Sequence, residues 1–256
     1  MEIKWYGTAS LEIKDIGSSI IFDPFFSLNK DLSVPKPDQF SGGSDIFITH
    51  GHFDHLMHLQ QILAGGQMNV YCSKEAADSL RRDGVDVNRV NIINPGDIIE
   101  KGPLKIEVLK GAHIRFDLPL IIKTLFSRRA ISHFKELKEL IKLAKLYPEG
   151  EVLIYKISNG SKSILHLGSL NLDPNETYPA DIDLLTLPFQ GRSDLDSYAV
   201  QFIEKLRPKT LYLHHFDDTF PPVSSPVNIA PFTAKIAKIY PEMSLYIPEY
   251  GKPMII

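Results

Sequence analysis

An α/β arrangement, two β-sheets packed together with helices outside, is the fold that this 256-residue sequence predicts. Three observations carry the prediction. Short strand-like runs cluster in each half of the chain, helical patterns follow the later runs of each block, and Ile182 to Leu187 is an almost unbroken apolar stretch, as in a strand covered on both faces. A chain of this length with 43% hydrophobic residues can bury a substantial core.

Glu2 to Tyr6, Ser10 to Lys14 and Ser19 to Asp23 are rich in β-branched and aromatic residues, and Asp15-Ile16-Gly17 turns the second run into the third. They read as an opening antiparallel meander. Strands follow at Asp45 to Thr49, Asn69 to Cys72, Asn91 to Ile93 and Leu104 to Lys110, with helices after the first two; Ser73 is the expected N-cap of the helix Lys74 to Arg82, which ends near Gly84. Pro35 to Gly43 reads as a surface loop. In the second half, Glu151 to Ile157 and Ser163 to Leu167 flank the hairpin signal Ser158-Asn159-Gly160. After the apolar run comes a helix from about Ser197 to Leu206, capped by Asp196, with Ala199, Phe202, Ile203 and Leu206 on one face. Strand Thr210 to His214, a helix opened by Pro231, and strands Leu245 to Ile247 and Met254 to Ile256 close the chain.

Between the halves, Ile114 to Glu149 holds an apolar piece, Phe116 to Phe126, and a helix from Ala130 to Leu146 with Phe134, Leu137, Ile141 and Ala144 along one face. Eight Lys and Arg stand there against four acids, inside a chain of net charge -3. Two readings stay open: a solvated buttress, or a lid presenting cations and apolar surface to an amphipathic or anionic ligand.

No apolar run reaches the roughly 20 residues of a membrane span; Leu118 to Phe126 is short and broken by Pro119 and Lys123. The start of the chain lacks a secretory pattern, so a cytoplasmic protein is expected. Cys72 is the sole cysteine, read as a half-buried thiol, which excludes an internal disulfide and a Cys-based zinc knuckle. The acidic balance disfavours nucleic acid as a partner. A homo-oligomer is compatible with the sequence.

The chemistry concentrates in Thr49-His50-Gly51-His52-Phe53-Asp54-His55-Leu56-Met57-His58, which carries four of the nine histidines on a strand-to-helix loop. His50 and His52, two apart on extended chain, can reach one ion; Asp54 and His55, at the helix start, can serve a second beside it. Paired ions about 3.5–4 Å apart suit hydrolysis. Without a cation, so many coordinating groups in six positions would repel or desolvate one another. His58 is taken as structural or supporting.

The His-x-His-x-Asp-His run resembles the signature of the metallo-β-lactamase superfamily. Trp5-Tyr6-Gly7-Thr8-Ala9-Ser10 and Ile21-Phe22-Asp23-Pro24 resemble its branch of ascorbate-6-phosphate lactonase-like and N-acylphosphatidylethanolamine phospholipase D-like proteins. The resemblance spans almost the whole chain and implies a four-layer αββα sandwich, one domain over 1–256 with a helical lid insertion at about 114–149. It also implies further ligands at His113, in Gly111-Ala112-His113, and at His214 or His215, of which His215 is chosen because Phe216-Asp217-Asp218 follows it. Asp23 would lie beneath the metal site, or serve only as a turn residue before Pro24. Thr8, where many members carry His, would weaken a supporting contact. Most members place a bridging Asp after Leu-Gly, whereas here Ser169 follows Leu167-Gly168; the second site is therefore expected to be weak, or to recruit Asp217 or Asp218.

The implied activity is hydrolysis of an ester, lactone or phosphodiester bond by hydroxide on one or two divalent ions, zinc first and manganese or iron as alternatives. Asp54 would orient the nucleophile and move its proton. The basic segment near Arg115, Arg128 and Arg129, with Arg192 as a clamp or else a solvated turn residue, would select an anionic small molecule. Two rivals remain: a non-catalytic metal-binding or sensing protein, made credible by Ser169, and a nuclease of the same superfamily.

Overall fold

The computed structural model describes residues 1–32, 40 and 44–256, so apart from Phe40 the predicted loop Pro35 to Gly43 lies outside the described residues. The first sheet holds β1 (Glu2–Trp5), β2 (Leu11–Asp15), β3 (Ser18–Phe22), β4 (Asp45–Phe47), β5 (Val70–Cys72), β6 (Val90–Ile92) and β14 (Pro253–Ile255), in the order β14-β1-β2-β3-β4-β5-β6. The second holds β7 (Ile98–Lys101), β8 (Leu104–Lys110), β9 (Leu153–Ser158), β10 (Ser163–Leu167), β11 (Leu184–Pro188), β12 (Thr210–His214) and β13 (Ser244–Tyr246), in the order β13-β12-β11-β10-β9-β8-β7. The opening meander is antiparallel, Trp5 pairing Leu11 and Leu11 pairing Phe22. Strand β7 is absent from the sequence reading because Ile98 and its neighbours lie on an edge, largely exposed, without a buried alternation to mark them.

Alternation along the strands divides the core into layers. Ile164, Leu184 and Tyr212 point between the sheets, where they meet Phe22, Phe47 and Tyr155; Leu165, Leu185 and Leu211 point outward. On that outer face lie α7 (Leu195–Tyr198), α8 (Val200–Leu206) and α9 (Ala230–Ile239), contributing Phe202, Ile203, Leu206, Phe232 and Ile236. Ile46, Ile48 and Val70 pack against α1 (Phe53–Leu56), α2 (Leu59–Leu63) and α3 (Lys74–Arg82) on the opposite side. The result is the four-layer αββα sandwich.

Several local expectations need correcting. Cys72 is fully buried rather than half-buried, and burial pushes its thiol up to about 12. The helix expected from Ser197 begins two residues earlier at Leu195, because Ser197 and Tyr198 donate their N–H groups to the Asp194 carbonyl; Asp194, not Asp196, stands at its N-cap. Between β8 and β9 the apolar piece is a helix, α4 (Leu118–Leu125), started by Asp117, whose carboxylate accepts the Leu120 N–H at 3.3 Å. The next helix divides at His133 into α5 (Arg128–Ser132) and α6 (Phe134–Leu146). On α6, Leu137 and Leu140 are buried while Phe134 and Ile141 are exposed, so the buried face is rotated from the one predicted. Among the described residues no helix is long and apolar enough to cross a membrane.

Candidate metal centre

Strands β3 and β4 are parallel, as are β10, β11 and β12, and β8 shares the direction of β10 because both are antiparallel to β9. The residues singled out in the sequence all follow the C-terminal ends of these strands: Asp23 after β3, the histidine-rich run after β4, His113 after β8, Ser169 after β10 and His215 after β12. Both sheets thus contribute to one site at one edge, where α/β folds place ligands.

Two trios of donors form there. His50, His52 and His113 bring ligand atoms within 4.8 Å of one another, and Asp54, His55 and His215 do the same. The His50 Nε2 and His52 Nδ1 atoms face each other at 3.1 Å, and the His113 ring centre lies 4.6 Å from that of His52. Asp54 Oδ2 is 3.3 Å from His215 Nε2 and 3.6 Å from His55 Nε2. His55 joins the trios, its ring centre 4.0 Å from that of His50.

Hydrogen bonds behind the rings fix which nitrogen is free. Thr49 donates its N–H to Asp23 Oδ1 at 2.8 Å and its hydroxyl to Asp23 Oδ2 at 2.7 Å. With that proton committed, the hydroxyl can only accept from His50 Nδ1, 3.0 Å away, which leaves His50 Nε2 as a lone pair facing the cluster. Asp23 Oδ2 lies 2.9 Å from His55 Nδ1, and the Ile114 carbonyl 2.8 Å from His113 Nδ1, so these rings too turn Nε2 toward the site. Asp23, buried and at φ 43, therefore supports the donors and does more than turn the chain before Pro24.

Electrostatics favour the ligating forms. Burial, then the neighbouring His55, holds His50 well below the ordinary imidazole range; burial, then His52, lowers His113 to about 4; burial lowers His52. These rings are neutral near pH 7, with lone pairs available. Burial would raise Asp54, but His55 and His215 outweigh it and keep the carboxylate ionised. Burial likewise opposes a charge on His55, yet Asp23 and Asp54 raise it. Those two carboxylates demand a positive charge beside His55, which a cation in the second trio would supply in place of a proton. Three neutral imidazoles beside two imidazoles and a carboxylate suit a borderline divalent ion.

Of the adjacent pair after β12, His215 reaches the cluster. His214 points between the sheets, fully buried, its Nε2 3.2 Å from the Leu167 carbonyl. His215 adopts φ 57 and donates its N–H to the Thr8 carbonyl at 2.9 Å. Thr8 thus supports the site through its backbone carbonyl, a contact that does not depend on its side chain. His58 accepts the Phe26 N–H at 3.1 Å and packs on Phe25 and Phe26, a structural role. The Ser169 hydroxyl accepts the Ile114 N–H at 2.9 Å and so braces the His113 loop.

The anticipated recruits are engaged elsewhere. Asp217 accepts the Thr8 N–H at 3.0 Å and the Tyr250 hydroxyl at 2.9 Å, and Asp218 pairs with Arg129 at 2.6 Å and accepts the Ser224 hydroxyl at 2.7 Å. Arg192 clasps Asp194 through two bonds of 2.6 and 2.9 Å and donates to the Arg115 carbonyl at 3.0 Å, so its fork is occupied. Arg115 is exposed and lines, with His113, Glu149, Tyr198 and Lys205, a cavity of about 900 Å³. Sequence reasoning missed Thr49, taken only as the end of a strand, and Glu149, whose carboxylate lies 3.7 Å from His113 Nδ1. Neither has a sequence signal beyond Thr49's place beside His50.

Comparison with known proteins agrees with this fold. Residues 2–215 match the family described as Beta-lactamase superfamily domain. The chain belongs to the beta-lactamase superfamily. Among curated relatives of this superfamily member, a UPF0173 metal-dependent hydrolase of Methanobrevibacter smithii is 26% identical over 98% of this chain and 95% of its own length. Another of that description, from Chelativorans sp., is 28% identical over 44% of this chain, a match spanning 48% of that relative. Igni18, described as a metallo hydrolase of Ignicoccus hospitalis, superposes with a TM-score of 0.66 at 16% identity, covering 99% of this chain and 97% of that one. At that identity the likeness shows the fold. Membership and the curated relatives support a metal-dependent hydrolase.

Proposed function

We propose that this superfamily member hydrolyses an ester, lactone or phosphodiester bond in an anionic small molecule, using one firmly held divalent ion and a second held more weakly. The observation that carries the reading is the pair of adjacent donor trios, His50, His52 and His113 beside Asp54, His55 and His215. Zinc suits the first trio best, with manganese or iron as alternatives. When bound, such an ion supplies Lewis acidity, bringing the pKa of water toward about 7 and stabilising negative charge on the oxygen of the attacked group.

The chain's own residues do the rest. Asp54, kept ionised by His55 and His215, orients the attacking water and accepts its proton. Asp23 and Thr49 hold the imidazoles in register from behind. Arg115 and Lys205 line the cavity that His113 borders and provide positive charge for an anionic substrate; Arg192 positions the backbone of Arg115. Ser169 cannot bridge two ions with a negative charge, which makes the second ion the weaker. A cytoplasmic setting is part of this reading, supported by a single buried free thiol.

Ser169 also favours a second reading, a protein that binds or senses metal without catalysis. One experiment separates the two. The purified protein is titrated with Zn²⁺ or Mn²⁺ after chelation while hydrolysis of model esters, lactones and bis-p-nitrophenyl phosphate is followed. A biphasic titration, with hydrolysis lost on chelation and in His113→Ala, is expected; tight binding with no hydrolysis of any substrate class would leave the sensor reading. Two equally tight ions would refute the asymmetry.

A further inference from the structure

Of the nineteen large apolar side chains exposed among the described residues, ten lie between Phe116 and Leu146, far more than that short segment's share of the chain. The densest part is α4. Its Leu118, Ile121, Ile122 and Leu125 follow i, i+3, i+4, i+7 spacing, which aligns them in a single stripe, and all four face solvent, Leu118 at 71% exposure. The helix buries no residue at all, and Phe116 and Phe126 bracket it, both exposed. An amphipathic helix normally turns such a stripe inward; here it is turned out.

The charge around the stripe narrows what can cover it. Residues 114–149 carry +4, eight cations less four acids; since the whole chain carries -3, the remainder carries -7. Arg115, Lys123, Arg128 and Lys135 are exposed and make no ion pair among the described residues. A second copy docked through a two-fold axis would set this positive segment against itself. A shaped protein or peptide partner would ordinarily meet a groove, whereas this is one helix exposed along its length. A fluid apolar layer beneath a negatively charged surface matches both features.

We propose that the α4 stripe, with the cations around it, docks this protein on the surface of an anionic phospholipid bilayer. The helix lies in the interface and does not span it; eight residues are about 12 Å long. The docked face adjoins the candidate metal centre, because the Phe116 ring centre is 5.9 Å from that of His113 and Arg115 lines the adjacent cavity. Docking would therefore bring the mouth of that cavity to the bilayer surface. It requires neither bound metal nor turnover, so it stands or falls separately from the hydrolase reading.

Vesicle flotation of the 256-residue chain, in chelator, tests the proposal. Vesicles of phosphatidylcholine with about 30% phosphatidylserine should bind the protein at least about tenfold more tightly than pure phosphatidylcholine vesicles. Binding should weaken strongly in about 0.5 M salt, where charge is screened. Leu118→Glu with Ile122→Glu should abolish it, while Leu118→Met with Ile122→Met should retain it, thermal melts establishing that both variants fold. Absence of binding to the anionic vesicles at low salt, or undiminished binding of the glutamate variant, would overturn the proposal. So would a stable dimer in sedimentation equilibrium that the glutamate variant dissociates, since a second copy would then cover the stripe.

Discussion

Asp23 bears a share of the site out of proportion to its place in the sequence, where it is one carboxylate before a proline. Its two oxygens receive the Thr49 N–H, the Thr49 hydroxyl and the His55 ring N–H, so one buried group sets the orientation of two imidazoles. Replacing it with asparagine would put an amide donor where Thr49 and His55 now donate. Asp23→Asn should therefore lower metal affinity by about 10–100-fold, as losses of supporting partners do. Competition against a chelator on the folded variant measures this, and unchanged affinity would show that the rings hold their orientation without Asp23. In the sequence, family resemblance and a plain turn before a proline account for it equally well; the Thr49 hydroxyl that connects it to His50 distinguishes the two.

Loops at the strand ends hold the donors because adjoining elements leave them little room. Gly168, between β10 and Ser169, is the clearest case: a Cβ there would overlap the Thr49 side chain. Gly168→Ala must displace the hydroxyl that connects Asp23 to His50, so it should destabilise the protein by about 1–3 kcal/mol through overpacking and weaken metal binding together. Urea unfolding and metal titration of the same variant check both; an alanine tolerated without loss in either would mean that Thr49 is free to move. Helices were legible where packing follows local pattern, as in α8, whose Phe202, Ile203 and Leu206 are buried as spaced. On α6 the buried face, Leu137 and Leu140, is rotated from the predicted one, and the apolar piece before it is a helix, α4, that buries no residue.

Across the molecule, the two sheets are stitched at the end that carries the site. Tyr155 donates its hydroxyl to the Ile48 carbonyl at 2.6 Å, Leu153 its N–H to the Thr49 carbonyl at 2.7 Å, and His215 its N–H to the Thr8 carbonyl at 2.9 Å. Stability should fall in acid, and His58 isolates part of that effect away from the donor trios. Burial lowers it from 6.5 to about 4, so the unfolded chain binds a proton more readily than the folded one. The derivative of stability with pH is then positive between these values: the contribution is complete above about 6.5 and is lost as pH falls toward about 4, up to about 3 kcal/mol in all. Denaturant unfolding of wild type and His58→Asn across that window should show a shallower pH dependence in the variant. Parallel curves would mean that His58 gains no proton on unfolding.

The linear order of residues was enough to announce a two-sheet α/β protein and the kind of chemistry it carries, because strand alternation and the crowding of His50, His52, Asp54 and His55 are local properties of the chain. Other matters depended on groups far apart in sequence coming together. Turning His215 to the donors while His214 is buried between the sheets, tying Asp217 to Thr8 and Arg192 to Asp194, and leaving the α4 stripe in solvent all follow from which neighbours the packed sheets and loops supply. Periodicity says which residues share a face of an element; what that face meets is settled by packing between distant parts of the chain, and spacing alone does not encode it.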